Sequence, residues 1–267
     1  MKVATIEKKF SCIGARIKLA DRPVDGDISI DIRRDKEGEF FDIVSNSDII
    51  DLQVLDVQKK DRHILLMAKE DGGDKKKFLC GFDERHFFSC AIPEVAGVST
   101  VIGAKQALKP VDILQAESGR VKTKNLHKRH KRVKGGKMHR QGEFFFTPMP
   151  NFILPIHAVI HKKEPMQRGG GNPHTAEFLI RTGGTSVWVC PQHSNGVSDG
   201  EYKKILNKNP RARDWNWTTM RADANVMTKG KITHVDHKTI NLGEVWHRVS
   251  LNTEDKSRAA KNVLFLD

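Results

Sequence analysis

Residues 120–140, RVKTKNLHKRHKRVKGGKMHR, carry ten Lys/Arg and three His without one carboxylate. Like charges at this density repel one another and resist folding, so the stretch is expected to be a solvated linker that orders on nucleic acid. It divides a chain of 267 residues, a length that suits one large or two modest domains. The expected organisation is a β-rich structural or partner-binding domain over 1–116, a basic linker over 117–142, and a basic β-rich domain over 143–267.

Charge follows the same division. Residues 1–118 hold 19 Lys/Arg against 21 Asp/Glu, whereas the remainder holds 27 against 12. All the net positive charge therefore lies in the second half, the electrostatic footprint expected of a polyanion binder. Arg120, Lys122, Lys124, Lys128, Arg129, Lys131, Arg132, Lys134, Lys137 and Arg140 are the candidate phosphate contacts. They are too dense for one helical face, which suits wrapping along a phosphate backbone. Gly135-Gly136 supplies a joint. A solvated tether or a localisation signal is the competing reading of the same run.

Several classes are excluded by composition. No window approaches the roughly 18 apolar residues of a membrane span. The start, MKVATIEKKF, has no apolar signal-peptide core, so a cytoplasmic setting is expected. Four cysteines, Cys12, Cys80, Cys90 and Cys190, make no disulfide framework. Cys80 and Cys90 flank a hairpin turning at Asp83-Glu84-Arg85, as facing partners or as two buried thiols.

The first half alternates at period two. Ile28 to Ile32, Phe40 to Val44, Leu52 to Val57, Ile64 to Ala68, Phe78 to Phe82 and Phe87 to Ile92 predict short antiparallel strands, and Asp71-Gly-Gly-Asp74 a turn. Their regular spacing predicts a small barrel or sandwich. One helix is expected from Ser99, as N-cap, to Leu108, stopped by Lys109-Pro110. The fold class is mainly β, or α+β.

After the basic run, Glu143 to Phe146 and Ile153 to Ile160 read as strands, with Arg140-Gln141-Gly142-Glu143 at the entrance as a polar site or a salt-bridged cap. The glycine-rich loop Gln167 to His174 matches no phosphate-binding fingerprint. Ala176 to Ile180 and Ser186 to Cys190 are strands joined at Gly183-Gly184, and 201–210 a short helix. Cys190-Pro-Gln-His193 has zinc-like local spacing but no matching second pair. Arg211 and Arg213 beside Trp215 and Trp217 form either a stacking platform for unpaired bases or core aromatics.

The last segment concentrates polar chemistry. Ile232 opens an alternating strand, Asp236-His237 follows it, Val245 to Leu251 is a further strand, and Asn252-Thr253-Glu254 opens a helix. This strand, loop, strand and helix, with Asp-His after the first strand and Asn262 at the end, resembles the ββα-metal motif of HNH-type nucleases over about 35 residues. The resemblance implies His237 as general base, Asp236 and Asn262 as ligands of one divalent cation (Mg²⁺ or Mn²⁺), and Asn252 fixing the imidazole. The motif departs from the family in lacking a flanking zinc knuckle and a Gly-rich turn. The alternative for these residues is a plain hairpin turning at Asp236-His237-Lys238, with His234 and His247 satisfied by backbone or carboxylate partners. A second candidate set joins Glu143, His174, His237 and His247, with Arg140 stabilising negative charge.

Two functions are expected from these features. One is a nucleic-acid-binding component of a ribonucleoprotein or nucleoprotein complex, docking a protein partner through its first domain. The other is a metal-dependent nuclease or related phosphodiester-processing enzyme centred on 234–262.

Overall fold

The computed structural model describes residues 3–21, 28–45, 51–69, 75–93, 97–118, 132–133, 136–166, 172–254 and 264–266, of which 3, 21, 132–133, 136–137, 194–195 and 264–266 are described by their backbone alone. The chain is mainly β, with several sheets and few helices. It divides into two compact units, Met1–Pro110 with Thr253–Asp255, and Val111–Asn252 with Lys256–Asp267. No described helix is long and apolar enough to cross a membrane.

In the first unit, α1 (Val3–Ser11) precedes β1 (Arg16–Asp21), β2 (Ile28–Asp35) and β3 (Gly38–Ser45). A meander follows: β4 (Asp51–Gln58), β5 (His63–Lys69), β6 (Lys75–Asp83) and β7 (His86–Ile92), then α2 (Val101–Ala107). The meander pairs in the order β4-β5-β6-β7, and the other sheet in the order β1-β3-β2. Period-two alternation decides which face each residue serves. Ile64, Leu66, Phe78 and Cys80 join Phe10, Phe41 and Ile43 in one core, while Leu65 and Leu79 point the opposite way onto Val101, Ala104 and Leu108 of the α2 region. The meander is thus buried on both faces, as in a sandwich with a helical cover. Thr100, not Ser99, caps α2: its hydroxyl accepts the Gly103 amide at 3.0 Å, and the Val101 amide is taken by Asp56.

Strand register also settles the cysteine pair. Cys80 lies opposite Ser89 and Cys90 opposite Leu79, so the two thiols face different cores and are not joined in a disulfide. The hairpin between them turns through Glu84-Arg85, with Asp83 paired to His86. Two elements have no counterpart in the sequence expectation: α1, and the parallel pairing of β1 with β3.

The second unit opens with α3 (Val111–Ser118), β8 (Arg132–Val133) and β9 (Gly136–Lys137). Next come β10 (His139–Gln141), β11 (Phe144–Pro148), β12 (His161–Met166), β13 (His174–Thr182), β14 (Thr185–Cys190) and β15 (His193–Val197). Helix α4 (Asp199–Lys208) and a 3-10 turn (Pro210–Asp214) lead into β16 (Thr218–Ala222), β17 (Asn225–Thr233), β18 (Ile240–Asn241), β19 (His247–Leu251) and β20 (Leu264–Leu266). The large sheet runs β10-β11-β19-β17-β13-β12 with β18 beside β17; the small one runs β15-β14-β16-β20. Phe144 and Phe146 face a core with Ala176, Leu179 and Ile232, while Phe145 turns to the other side against Ile113 and Met138.

Gly183-Gly184 does not make the expected hairpin between β13 and β14. These strands follow one another into different sheets, and β17 and β16 run antiparallel beside them, with Thr182 opposite Asn225 and Thr185 opposite Ala222. One long ribbon is therefore bent at 183–184 and 223–224. Gly184, at φ +81°, is required there because a Cβ would meet the Ala222 carbonyl at 2.7 Å.

The expected strand over Ile153 to Ile160 does not form. Residues 151–160 are irregular, and Ile153 and Ile156 are 86% and 96% exposed. Pro150 and Pro155 withhold amides that a ladder would need, and pairing begins only at His161. The Asp71–Asp74 turn, the 167–171 loop and residues 255–260 of the last expected helix lie outside the described residues.

Candidate functional site

β13 and β17 are antiparallel, with Thr175 opposite Thr233. That register carries His174, at the start of β13, and His234, just beyond β17, to one edge of the second core. The pairing is irregular on the way. Between Ala176 and Phe178 the register shifts, so that Glu177 faces both Gly230 and Lys231, one residue more than a regular ladder holds. Such a bulge bends and re-aims the strand that carries it. Gly230, at φ +78°, is held by close approach, since a Cβ would meet the Glu177 carboxylate at 2.6 Å; that carboxylate also accepts the Lys231 amide at 2.8 Å.

His237 comes from the loop between β17 and β18 and completes a group of three. The ring centroids lie 4.2 Å apart for His174 and His234, 4.7 Å for His234 and His237, and 5.6 Å for His174 and His237. One nitrogen from each ring lies within 4.8 Å of the other two. His174 is the buried member and the other two are half-buried.

The surroundings leave His174 anomalous. It is 2% exposed, packs edge-on against Phe144, and neither ring nitrogen has a hydrogen-bond partner. Burying such a group without a partner costs about 1–3 kcal/mol. Burial first, and then the neighbouring His234 and His237, push its pKa down to about 3, so the ring is neutral and its lone pair is available. His234 is more firmly held: its Nδ1 accepts the Asp236 amide at 3.1 Å, which places the proton on Nε2, where it is donated to the Asn172 carbonyl at 3.0 Å.

The tight turn from β10 to β11 closes the group from another side. Gly142 has φ +57°, and a Cβ there would stand 3.1 Å from His237 Nε2 and 3.4 Å from His174 Nε2. Its neighbour Gln141 donates to the Lys238 carbonyl at 2.7 Å, tying the turn to the histidine loop, while the buried Gln141 Oε1 has no partner. Arg140, exposed two residues away, donates to the Gly142 carbonyl at 2.8 Å. The edge of the core thus holds three imidazoles with the Arg140 side chain bonded to the turn beside them.

The sequence candidates divide accordingly. His174 and His237 converge, and Asp236 sits in the same loop with its carboxylate accepting from Asn172 Nδ2 at 3.2 Å. Glu143 adjoins Gly142 in sequence, and its carbonyl accepts the Asn252 amide at 2.9 Å. His247 is elsewhere: it lies between Pro148 and Thr228 in the sheet, with Nδ1 on the Val245 carbonyl. Thr228 precedes His234 by six residues, roughly 20 Å along a strand. Asn262 lies outside the described residues. His234, expected to be an ordinary satisfied histidine, is the member that sequence reasoning missed; its only signal was the His-x-x-His spacing with His237.

A second feature lies on the small sheet. Trp215 and Trp217 stack at 6.2 Å, His193 stacks on Trp217 at 5.6 Å, and Tyr202 meets Trp217 edge-on at 4.9 Å and Trp188 face-on at 4.3 Å. All five rings are half-buried, whereas Arg211 and Arg213 are exposed. The tryptophans share a side without being in a strand, because Asn216 between them takes φ +54°. Cys190 and His193 pair across β14 and β15 and belong to no group of three metal donors among the described residues. In the basic run, residues 120–131 and 134–135 lie outside the described residues, and for Arg132 and Lys137 only the backbone is described.

Comparison with protein-family models, curated proteins and solved structures finds no match to this chain.

Proposed function

We propose that the protein is a nucleic-acid-binding component of a ribonucleoprotein or nucleoprotein complex, working in the cytoplasm and contacting phosphates through residues 120–140. The observation that carries this reading is the run of ten Lys/Arg without a carboxylate, set in a half with 27 basic against 12 acidic residues. Phosphate neutralisation releases counterions, and it requires no defined side-chain geometry. The aromatic group around Trp217, with Arg211 and Arg213 beside it, adds a surface on which unpaired bases could stack. The first unit has its own cores and serves as the docking body for a protein partner.

The test is a salt titration of binding to single- and double-stranded RNA and DNA. Replacing Lys128, Arg129, Lys131 and Arg132 by Gln should weaken binding and reduce the log–log salt slope by about 3, at roughly 0.7–0.9 per phosphate contact. An unchanged affinity would remove the proposal.

One observation favours a second reading, a metal-dependent phosphodiester-processing enzyme: His174 and His237 lie together near Arg140. His237 would activate water as general base and Arg140 would offset charge on the phosphate. Under this reading His237→Ala abolishes cleavage and leaves affinity for nucleic acid intact.

A further inference from the structure

We propose that His174, His234 and His237 form a site for one borderline transition-metal ion of the zinc class, with its remaining coordination position facing solvent. The inference stands apart from nucleic-acid binding. It also differs from the oxygen-ligated Mg²⁺ or Mn²⁺ that the sequence suggests on Asp236 and Asn262.

Four observations support it. First, the donors are three imidazoles, a set that suits Zn²⁺, Co²⁺, Ni²⁺ or Cu²⁺ and is a poor match for hard cations that take oxygen. Second, the separation is close to what coordination demands. Metal–nitrogen bonds of about 2.0–2.1 Å at tetrahedral angles set nitrogens roughly 3.3 Å apart, so donors already within 4.8 Å need only a small closure. Third, His174 is buried with both nitrogens lacking a partner. A hydrophobic core gains nothing from an imidazole in that state, whereas a metal would use its lone pair. Fourth, Gly142 keeps the space beside His174 and His237 clear, since a Cβ there would crowd the His237 ring at 3.1 Å and stand in contact with His174 at 3.4 Å.

The support around the rings fits the same role. His234 is oriented by the Asn172 carbonyl and the Asp236 amide, the type of outer contact that holds a ligating histidine in place. Loading the site exchanges one of these two contacts for a nitrogen–metal bond. The Gln141 bond to the Lys238 carbonyl fixes the His237 loop against the Gly142 turn. His234 and His237 are half-exposed, so three protein ligands are supplied and one position is left to water, the pattern of catalytic rather than structural zinc sites.

The experiment uses the full chain, dialysed against EDTA and then titrated with Co²⁺ as an optical stand-in for Zn²⁺. One equivalent of Co²⁺ should produce the intense visible bands of a low-coordinate nitrogen site. Zn²⁺ should displace them, and a large excess of Mg²⁺ should not. His237→Ala, at a half-exposed position, should retain the wild-type circular dichroism spectrum. It should weaken metal binding by more than the roughly 10–100-fold that follows loss of a mere outer contact. Zn²⁺ should raise the thermal midpoint of the wild type but not of the variant. His234→Ala provides an independent second loss. A wild type without cobalt bands, or bands of equal strength and affinity in His237→Ala, would overturn the site. The latter would place the metal on other histidines, such as those of the basic run.

Discussion

His174 and His234 face each other across the β13–β17 ladder with ring centroids 4.2 Å apart and planes 29° from parallel. Sixty residues of chain separate them, and the contact depends on a register that shifts once, at Glu177. The core beneath the pair depends on Phe144, which is fully buried and meets His174 edge-on at 4.8 Å. Phe144→Ala should destabilise the second unit by about 3–5 kcal/mol, read as a lower urea midpoint. The exposed Ile156→Ser should stay within about 0.5 kcal/mol of wild type.

Gly142 and Gly243 both hold positive φ, at +57° and +74°, but differ in their surroundings. A Cβ at Gly243 meets nothing within 4 Å, whereas one at Gly142 meets two imidazoles. Gly243→Ala should cost about 1–2 kcal/mol, the left-handed backbone strain alone. Gly142→Ala should cost more, and histidine ring resonances of the group should shift in that variant only. Equal losses and unshifted resonances would show that the turn does not press on the histidines.

Cys80 is fully buried, and that burial pushes its thiol up to about 12. The thiolate is the reactive form, so iodoacetamide at pH 8 should leave Cys80 unmodified in the folded chain while the half-buried Cys12 reacts. Mass spectrometry before and after denaturation reads both sites. Modification of Cys80 without unfolding would contradict its place in the first core.

Asp35 is held below the ordinary carboxylate range by its hydrogen bond from Arg16, at 2.6 Å, and then by Lys18 at 2.8 Å. A depressed pKa means the unfolded chain binds the proton more readily, so the stabilisation is complete above the ordinary aspartate value of about 3.9. It disappears as pH falls through the folded value. The difference in urea midpoint between wild type and Asp35→Asn should therefore be constant from pH 7 to about 4 and shrink below it. A difference unchanged to the lowest accessible pH would deny the ion pair its role.

Arg211 and Arg213 are exposed beside the ring stack of Trp215, Trp217 and His193. Single-stranded oligonucleotides should quench tryptophan fluorescence. The double change to Ala should lower the salt slope of binding by about 1.4, at roughly 0.7 per contact on single strands, with the thermal midpoint unchanged. Absence of quenching would leave these rings a purely structural cluster, in which Trp217 donates to the Ala212 carbonyl at 2.7 Å.

Local periodicity is enough to read β2 to β7 of the first unit, because each presents alternate residues to a core and that pattern is written along the chain. Ile64 to Ala68 and Phe78 to Phe82 are examples, and the β-rich class follows from them. The same signal failed at Ile153 to Ile160, where apolar residues end in solvent between prolines. In β1, Ile17 and Leu19 alternate with Arg16 and Lys18 in the same way, but nothing in that pattern says that the strand pairs parallel to β3. The positive charge of residues 120–140 is a property of composition and needs no fold to be stated. The histidine group is the opposite case. His234 and His237 share a loop, but His174 joins them only through the β13–β17 register, and Gly142 only through the turn that Gln141 ties to Lys238. Long-range pairing is decided by the summed burial of Phe144, Ala176 and Ile232 in one core, which no single segment encodes, so only the tertiary structure could bring these rings together.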